Sequence, residues 1–202
     1  TAKPLLFVAL YNEIRENAKT TFASFARQGV NIKVISGDNP VTVSQIAKEA
    51  GIEGAENYVD ATMLDTDEKI LEAVSKYTVF GRVQPEQKQQ IIKALKEVGL
   101  KVAMTGDGVN DILAMKEADC SIAMGEGSDA TRQAAQVVLL DNDFSHMKNI
   151  VYEGRRDINN ITRSATLFLY KNIFSLLLGV FSFVAAFKYP LQPTQVSMIS
   201  GF

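Results

Sequence analysis

The sequence TGDGVNDILAM (residues 105–115) places two aspartates, Asp107 and Asp111, four positions apart among glycines. It follows directly after LKVAM (100–104), an apolar run with the composition of a buried strand. Two carboxylates held close together repel each other unless a cation lies between them. We therefore expect a strand to end here, a helix to begin here, and a hard divalent metal ion to bind at the junction together with a phosphoryl group.

Short apolar runs and helical patterns alternate along the chain up to about residue 140. Strands are predicted for LLFVAL (5–10), IKVIS (32–36), YTVFG (77–81), LKVAM (100–104), SIAMG (121–125) and VVLL (137–140). Helices are predicted over residues 13–29, 40–51 and 85–99, where proline at the start or glycine past the end marks the limits. The alternation predicts an α/β fold in which helices cover both faces of a parallel sheet.

Beyond the α/β region, one long helix is predicted. Apolar or small residues recur at steps of three and four from Phe144 to Phe168, and LFLYKNIFSLLLGVFSFVAAF (167–187) is apolar on every face. A bilayer span needs roughly 20 mostly apolar residues. The sequence thus predicts a stalk helix (143–166), a transmembrane helix over 167–187, and an outer loop that leads into a second, truncated span (188–202). The alternative is a helix buried in a large soluble core.

Composition and charge narrow the choice of partners and compartment. The net charge is −2 with no basic block, which argues against nucleic acid, and the single Cys120 excludes an internal disulfide and fits a reducing compartment. The ends, TAKPLL and SMISGF, indicate a piece cut from a longer chain. Basic residues are more frequent before the predicted span than after it, which predicts a cytoplasmic α/β part: Lys148, Arg155, Arg156 and Arg163 against Lys188.

Three of the predicted strands are followed by polar residues: SGDN (36–39), GRVQPEQK (81–88) and TGDGVND (105–111). Open α/β sheets bind ligands at the carboxyl ends of their strands. Hydroxyl groups, backbone N–H groups and cationic side chains suit phosphate oxygens, while carboxylates suit Mg²⁺. We therefore predict that Asp107 binds the metal ion and that Asp111 supports the site from the first turn of the helix.

Each motif alone also has a simpler interpretation. SGDN is also typical of a turn followed by a helix cap, and Lys88 is also typical of a solvated helix surface. The glycines Gly106 and Gly108 are expected to let the backbone approach closely. A dinucleotide-binding fingerprint is disfavoured, because Asp111 stands where the third glycine belongs.

In this order the motifs resemble those of the P-type cation-transporting ATPases. TGDGVND and the following MKEADCSIAMGEGSDATRQAAQVVLLDNDF (115–144) resemble the hinge signature of that family and the segment that leads to its fifth transmembrane helix. SGDN resembles the family's TGDN element with Ser36 in place of threonine, and RVQPEQK (82–88) resembles its R-V-x-P-x-x-K element. The resemblance implies a Rossmann-like sheet of the haloacid dehalogenase type, with residues 1–142 as part of the phosphorylation domain.

The resemblance also implies roles for individual residues. Phosphate contacts and catalysis would fall to Ser36, Gly37, Lys88 and Asp111. Mg²⁺ would bind Asp107, with Asn110 completing the cofactor site. Asp38 and Arg82 would lie on its nucleotide-facing side.

The function implied by the resemblance is that of a multi-pass pump in the cell membrane. Its partners would be ATP, an inorganic cation, the lipid bilayer and the remainder of the same chain, and it would form a Mg²⁺-dependent aspartyl-phosphate. The family's D-K-T-G-T strand, which carries the phosphorylated aspartate, does not occur in this sequence, nor does its nucleotide-binding domain. We therefore expect the isolated chain not to turn over ATP.

Two departures from the family's pattern indicate a less typical subfamily. Ile112-Leu113-Ala114 stands where Ala-Pro-Ala is usual, and Asn12 stands where the D-P-x-R element has aspartate. Two other functions remain open from the residues: a soluble phosphatase of the same fold that acts on small phosphate esters, and a non-catalytic regulatory module.

Overall fold

The structure is a computed structural model that describes residues 13–184. Within them, six strands follow in chain order: β1 (Val34–Ile35), β2 (Tyr58–Asp60), β3 (Val79–Gly81), β4 (Ala103–Gly106), β5 (Cys120–Met124) and β6 (Val137–Leu139). The helices are α1 (Ala18–Arg27), α2 (Pro40–Glu49), α3 (Asp67–Lys76), α4 (Pro85–Glu97), α5 (Ile112–Glu117), α6 (Asp129–Ala134) and α7 (Met147–Val184). Short 3₁₀ turns lie at Ala61–Met63, Val109–Asp111 and Phe144–His146.

The strands form two parallel sheets, each of three strands. Their orders are β1-β3-β2 and β4-β5-β6. Side chains from both sheets, including Phe80, Met104 and Ala123, enter the same buried core, which α3 and α4 cover with Ile70, Ile91 and other apolar residues. The prediction of a parallel α/β fold is therefore confirmed, although the described strands form two sheets and not one continuous ladder.

The predicted helix punctuation agrees with the observed helix ends. Pro40 and Pro85 are the first residues of α2 and α4. Gly29, Gly51 and Gly99 follow the three predicted helices with φ of 74°, 81° and 87°. This left-handed conformation closes a helix, and glycine adopts it without the penalty that a Cβ would bring.

The observed strand limits differ from the predicted ones, most clearly in β4 and β1. β4 runs on through Thr105 and Gly106, which pair with Ile122 and Ala123 of β5, so the strand includes the first two residues of the central motif. Of the predicted strand over 32–36, only β1 is formed. The predicted strand over 5–10 lies outside the described residues, as do Asn12 and residues 188–202.

Two elements between residues 52 and 76 were not predicted. β2 has only three residues and pairs with β3 alone, so its pattern is too short to recognise. α3 carried readable signals: Thr66 accepts a hydrogen bond from the Lys69 N–H as an N-cap, and Ile70 and Val74 are buried on one face.

The chain divides into two compact units, and the second begins at Asn149. Most of that unit's described part is α7, a continuous helix of 38 residues and so about 57 Å long. Together with the preceding turn, α7 is long and apolar enough to cross a membrane, and no other helix among the described residues is. The prediction of one long helix is confirmed from Met147 to Val184. Its division into a stalk and a span near residue 167 stays a prediction.

Candidate functional site

The loop after β4 is organised by the buried carboxylate of Asp111. Its Oδ2 accepts the N–H groups of Asp107 at 3.3 Å and of Gly108 at 3.4 Å. A Cβ on Gly106 would lie 2.5 Å from the Cβ of Asp111, so this strand end requires glycine. At Gly108 no close approach requires glycine, contrary to the prediction, because the nearest atom to a Cβ there would be 3.9 Å away.

An ion pair joins this loop to α4, which follows β3 of the other sheet. Lys88 Nζ lies 2.7 Å from Asp111 Oδ1, and the side chains of Lys88 and Asp111 are only 15% and 10% exposed. Lys88 is therefore not a solvated surface lysine. The pair brings a cation to the edge where β4 ends, which is the charge that phosphate oxygens require.

Asp107 and Asn110 lie on the exposed side of the same loop. Among the described residues, the Asp107 carboxylate forms no hydrogen bond or ion pair, and no cluster of three or more histidine, cysteine or acidic side chains is placed to hold a metal ion. Mg²⁺ commonly binds through one or two carboxylates and completes its shell with water and substrate phosphate. One carboxylate without a protein partner among the described residues fits that mode and does not fit an all-protein cage.

The loop after β1 contains Ser36, Gly37 and Asp38. Ser36 Oγ accepts the Asp38 N–H at 3.2 Å and lies 3.4 Å from Asp38 Oδ2, so the hydroxyl closes a tight turn. Asn39 then caps α2 by accepting the N–H of Val41 at 3.0 Å. The simpler interpretation of SGDN, a turn followed by a helix cap, is thus correct as far as local structure goes.

Two backbone hydrogen bonds fasten this loop to the one after β3. The Arg82 N–H donates to the Asp38 carbonyl at 2.8 Å, and the Val83 N–H donates to the Ser36 carbonyl at 3.0 Å. Arg82 has a φ of 53°, which is uncommon for a residue with a side chain. The segment from Arg82 to Lys88 therefore contacts the β1 loop at one end and the β4 loop at the other.

Arg82 has a side-chain partner that the sequence did not reveal. Its Nη1 lies 2.8 Å from Asp60 Oδ2. Hydrogen bonds from the Thr62 hydroxyl and backbone, and then the charge of Arg82, hold the pKa of Asp60 below its ordinary value. Asp60 was missed because it ends β2; the available signal was an acidic residue directly after Tyr58-Val59.

The predicted site residues thus form two connected groups. One contains Ser36, Gly37, Asp38 and Arg82, and the other contains Lys88, Asp107, Asn110 and Asp111. Arg82, in the β3–α4 connection, belongs to the first group, and Lys88, near the start of α4, belongs to the second. The arrangement offers hydrogen-bond donors and a lysine for an anion, and a free carboxylate for a cation.

Comparisons with known proteins identify the family to which the chain is similar. Residues 3–119 match the haloacid dehalogenase-like hydrolase family. The chain is 47% identical to the probable cation-transporting ATPase exp7 of Streptococcus pneumoniae and 44% identical to the calcium-transporting ATPase CtpE of Mycobacterium tuberculosis, over 98% of its own length in both. It is 37% identical to the human calcium-transporting ATPase type 2C member 2 over 96% of its length.

These relatives are much longer than the chain. It spans 26% of each of the two bacterial proteins and 21% of the human one. Their similarity nevertheless extends over almost the whole of the chain, C-terminal helix included.

Solved structures show the same fold. The catalytic domain of the CPx-ATPase CopB-B is 31% identical with a TM-score of 0.53, and the match covers 68% of this chain and 45% of that domain. A zinc-transporting PIB-type ATPase in the E2.Pi state gives a TM-score of 0.71 at 24% identity, over 94% of this chain and 26% of the other.

Proposed function

Because this chain belongs to the haloacid dehalogenase-like hydrolases and, within them, to the P-type cation-transporting ATPases, we propose that it is part of an ATP-driven cation pump. The full-length protein forms a Mg²⁺-dependent aspartyl-phosphate on an aspartate upstream of this chain. Residues 1–142 supply part of the phosphorylation domain, 143–166 the stalk, 167–187 a transmembrane helix, and 188–202 an outer loop and the start of a further span.

The observation that carries this proposal is the Lys88–Asp111 ion pair beside the free carboxylate of Asp107. Asp111 fixes the loop through the Asp107 and Gly108 N–H groups and holds the Lys88 ammonium at the end of β4. A cation fixed in this way needs little rearrangement when negative charge moves onto the transferred phosphoryl oxygens, and such preorganisation lowers the barrier.

The metal ion and the nucleotide have separate places in this proposal. Asp107, with Asn110, would hold Mg²⁺, which supplies charge neutralisation for the phosphate when bound. Ser36 and Gly37 would contact the phosphoryl group, while Asp38 and Arg82 would face the nucleotide. The chain's own residues thus orient the phosphate, hold the loop that carries Asp107, and keep Lys88 close to it.

Calcium is the first cation to test. The CtpE proteins and the human type 2C protein are calcium-transporting ATPases by name, whereas exp7 is a probable cation transporter. Residues 167–187 contain no carboxylate, so the ion ligands of the pump would come largely from other spans.

The pump lies in the cell membrane with its α/β part in the cytoplasm. The apolar composition of α7 and the names of the relatives support the membrane location. The excess of lysine and arginine before residue 167 over that after 187 supports the orientation. A soluble phosphatase is disfavoured, because similarity to pumps extends over 98% of the chain and therefore beyond β6.

The test replaces the predicted metal ligand in the full-length protein. Asp107→Asn keeps the size of the side chain but removes its charge, so we expect formation of acid-stable phosphoenzyme from labelled ATP and Mg²⁺ to fall about a hundredfold. Asp119→Asn is the control, because Asp119, just before β5, pairs with Lys101 outside the predicted site. Asparagine keeps an oxygen that can accept the Val102 N–H, so phosphorylation should be unchanged. Normal phosphoenzyme levels in Asp107→Asn would show that Asp107 does not bind the essential metal ion. If the unaltered protein forms no phosphoenzyme, the proposal of an ATP-driven pump is wrong.

A further inference from the structure

We propose that Asp60 is a positioning residue that fixes the Arg82 guanidinium at the nucleotide-facing side of the site and thereby sets the affinity for ATP. This inference rests on the proposed function, in which Arg82 faces the nucleotide. Asp60 belongs to none of the sequence motifs, and its place follows from the sheet and its contacts.

The register of the sheet brings Asp60 to Arg82. In the parallel β2–β3 pair, Asp60 lies opposite Gly81, the residue immediately before Arg82. β2 ends at Asp60 and β3 ends at Gly81, so Asp60 and Arg82 lie at the same edge of the sheet. A Cβ on Gly81 would lie 2.4 Å from Pro40 Cα, which shows how closely the β3 end approaches α2.

Arg82 is held in a conformation that it would not adopt unaided. Its φ of 53° lies in the left-handed region, where a Cβ is crowded against the following carbonyl oxygen. The backbone is retained by hydrogen bonds from the N–H groups of Arg82 and Val83 to the β1 loop. The side chain is retained by Asp60, whose Oδ2 lies 2.8 Å from Nη1.

Asp60 is itself held at both carboxylate oxygens. Oδ1 accepts the Thr62 hydroxyl at 2.6 Å and the Thr62 N–H at 3.1 Å, while Oδ2 faces Arg82. These contacts lower the pKa of Asp60, so the carboxylate is charged at neutral pH. A carboxylate fixed by its own turn can orient a longer side chain without moving with it.

The pair leaves most of the arginine available for a ligand. The Arg82 side chain is 52% exposed against 21% for Asp60, and Asp60 contacts only Nη1. Among residues 13–184, Nε and Nη2 have no hydrogen-bond partner and can donate to anionic oxygens, and the planar guanidinium suits phosphate in a defined orientation. Holding the group in its bound direction removes part of the entropy cost of nucleotide binding.

A role of Asp60 in orienting Arg82 can be distinguished from a role in stabilising the fold. The pair is partly exposed, and Asp60→Asn keeps an oxygen that can accept the hydrogen bonds from Thr62, so removing the Asp60 charge should leave the fold intact. The affinity for ATP should fall, whereas phosphorylation by inorganic phosphate, which involves no nucleotide, should not change.

The experiment uses the full-length pump and measures phosphoenzyme formation from ATP and, in the reverse direction, from inorganic phosphate. In Asp60→Asn, we expect the ATP concentration for half-maximal phosphorylation to rise about tenfold, with phosphorylation by inorganic phosphate unchanged. Thr62→Val, which removes the hydroxyl but keeps the backbone N–H, should give a smaller rise. Asp65→Asn is the control, because Asp65 pairs with Lys69 and not with Arg82, although its side chain is 68% exposed against 21% for Asp60.

A double variant tests whether Asp60 acts through Arg82. Asp60→Asn combined with Arg82→Lys should be no more impaired than Arg82→Lys alone, because the guanidinium that Asp60 orients is already gone. An unchanged ATP requirement in Asp60→Asn, an equal loss with inorganic phosphate, or additive effects would overturn the inference. Absence of phosphoenzyme from both donors in the unaltered protein would instead overturn the proposed function, and this inference with it.

Discussion

At the scale of single residues, the Lys88–Asp111 pair decides the geometry of the site. It is the most buried of the ion pairs found among residues 13–184, and its carboxylate also accepts two backbone N–H groups. Charges removed from water need such extra partners, because mutual attraction alone does not fully offset their desolvation. The pair therefore fixes the β4 loop as well as supplying charge.

Removing one partner of this pair should destabilise the protein. Lys88→Met leaves a buried carboxylate with two long hydrogen bonds, and we expect a loss of about 3 kcal/mol, visible as a lower midpoint of thermal unfolding in detergent. Lys101→Met is the matched control, because the Lys101–Asp119 pair has the same chemistry but an 89% exposed lysine and should cost less than about 1 kcal/mol. Equal shifts in the two variants would contradict the role given to burial.

The residues of the β4 loop and Lys88 could be predicted because each lies within a short motif whose spacing is visible in the sequence. Asp60 could not, because its partner lies 22 positions away and the register of two three-residue strands brings them together. Gly106 was correctly expected to allow close approach, but Gly108 was not distinguished from it, since only coordinates show which glycine faces the Asp111 side chain.

At the scale of elements, the turn that precedes α7 is fixed to α1. Asp143 caps this turn by accepting the Ser145 N–H at 2.9 Å, and it also accepts Asn17 Nδ2 at 3.2 Å. Phe144 packs against Phe22 and Phe25 at centroid distances of 6.1 and 5.8 Å. Within the first unit, the turn that leads into the long helix is thus held against α1 by both polar and aromatic contacts.

This junction should make stability depend on pH. Hydrogen bonds from the Ser145 backbone and hydroxyl, more than any other cause, hold the pKa of Asp143 below its ordinary value of 3.8. The stabilisation is therefore complete above about pH 4 and is lost as the pH falls through the folded-state pKa. Asp143→Asn keeps an oxygen acceptor at every pH, so its unfolding midpoint should fall less between pH 7 and pH 3.

The control for this titration is Asp157→Asn, an exposed position on α7 without these cap contacts. It should follow the unaltered protein across the same range. A midpoint that falls as steeply in Asp143→Asn as in the unaltered protein would show that the cap carboxylate does not contribute.

The helices were predicted unevenly, because α3 and α6 were not predicted. α2 and α4 begin at the expected prolines, but α1 begins at Ala18 and not at residue 13. Asn17 forms no side-chain cap on α1 and instead donates to Asp143, a partner 126 positions away. The strands are short because hydrogen bonding to neighbours, which local composition does not contain, sets their length.

At the scale of the whole molecule, α7 presents apolar side chains to its surroundings along much of its length. Leu167, Phe168, Leu177 and Phe181 are all more than 60% exposed. In water such a surface would be unfavourable, whereas in lipid it is the expected one. If this helix consists of a stalk and a span, the same kind of substitution should have different effects in the two parts.

Two arginine substitutions of equally exposed residues test that division. Leu177→Arg lies within the predicted span and should cost about 3 kcal/mol on insertion, which lowers recovery of the protein in the membrane fraction. Ile158→Arg, at 65% exposure against 63% for Leu177, lies in the predicted stalk and should leave recovery unchanged. If the unaltered chain partitioned into the aqueous phase of a detergent assay, the soluble alternative would be favoured instead.

The uninterrupted run of α7 has a geometric consequence. A rod of 38 residues acts as a lever arm, so a tilt of only about 5° at Met147 would sweep Val184 sideways by about 5 Å, close to the rise of a whole helical turn. If phosphorylation in the proposed pump is coupled to the membrane through this helix, a small rearrangement at Met147 becomes a displacement about as wide as a side chain at Val184.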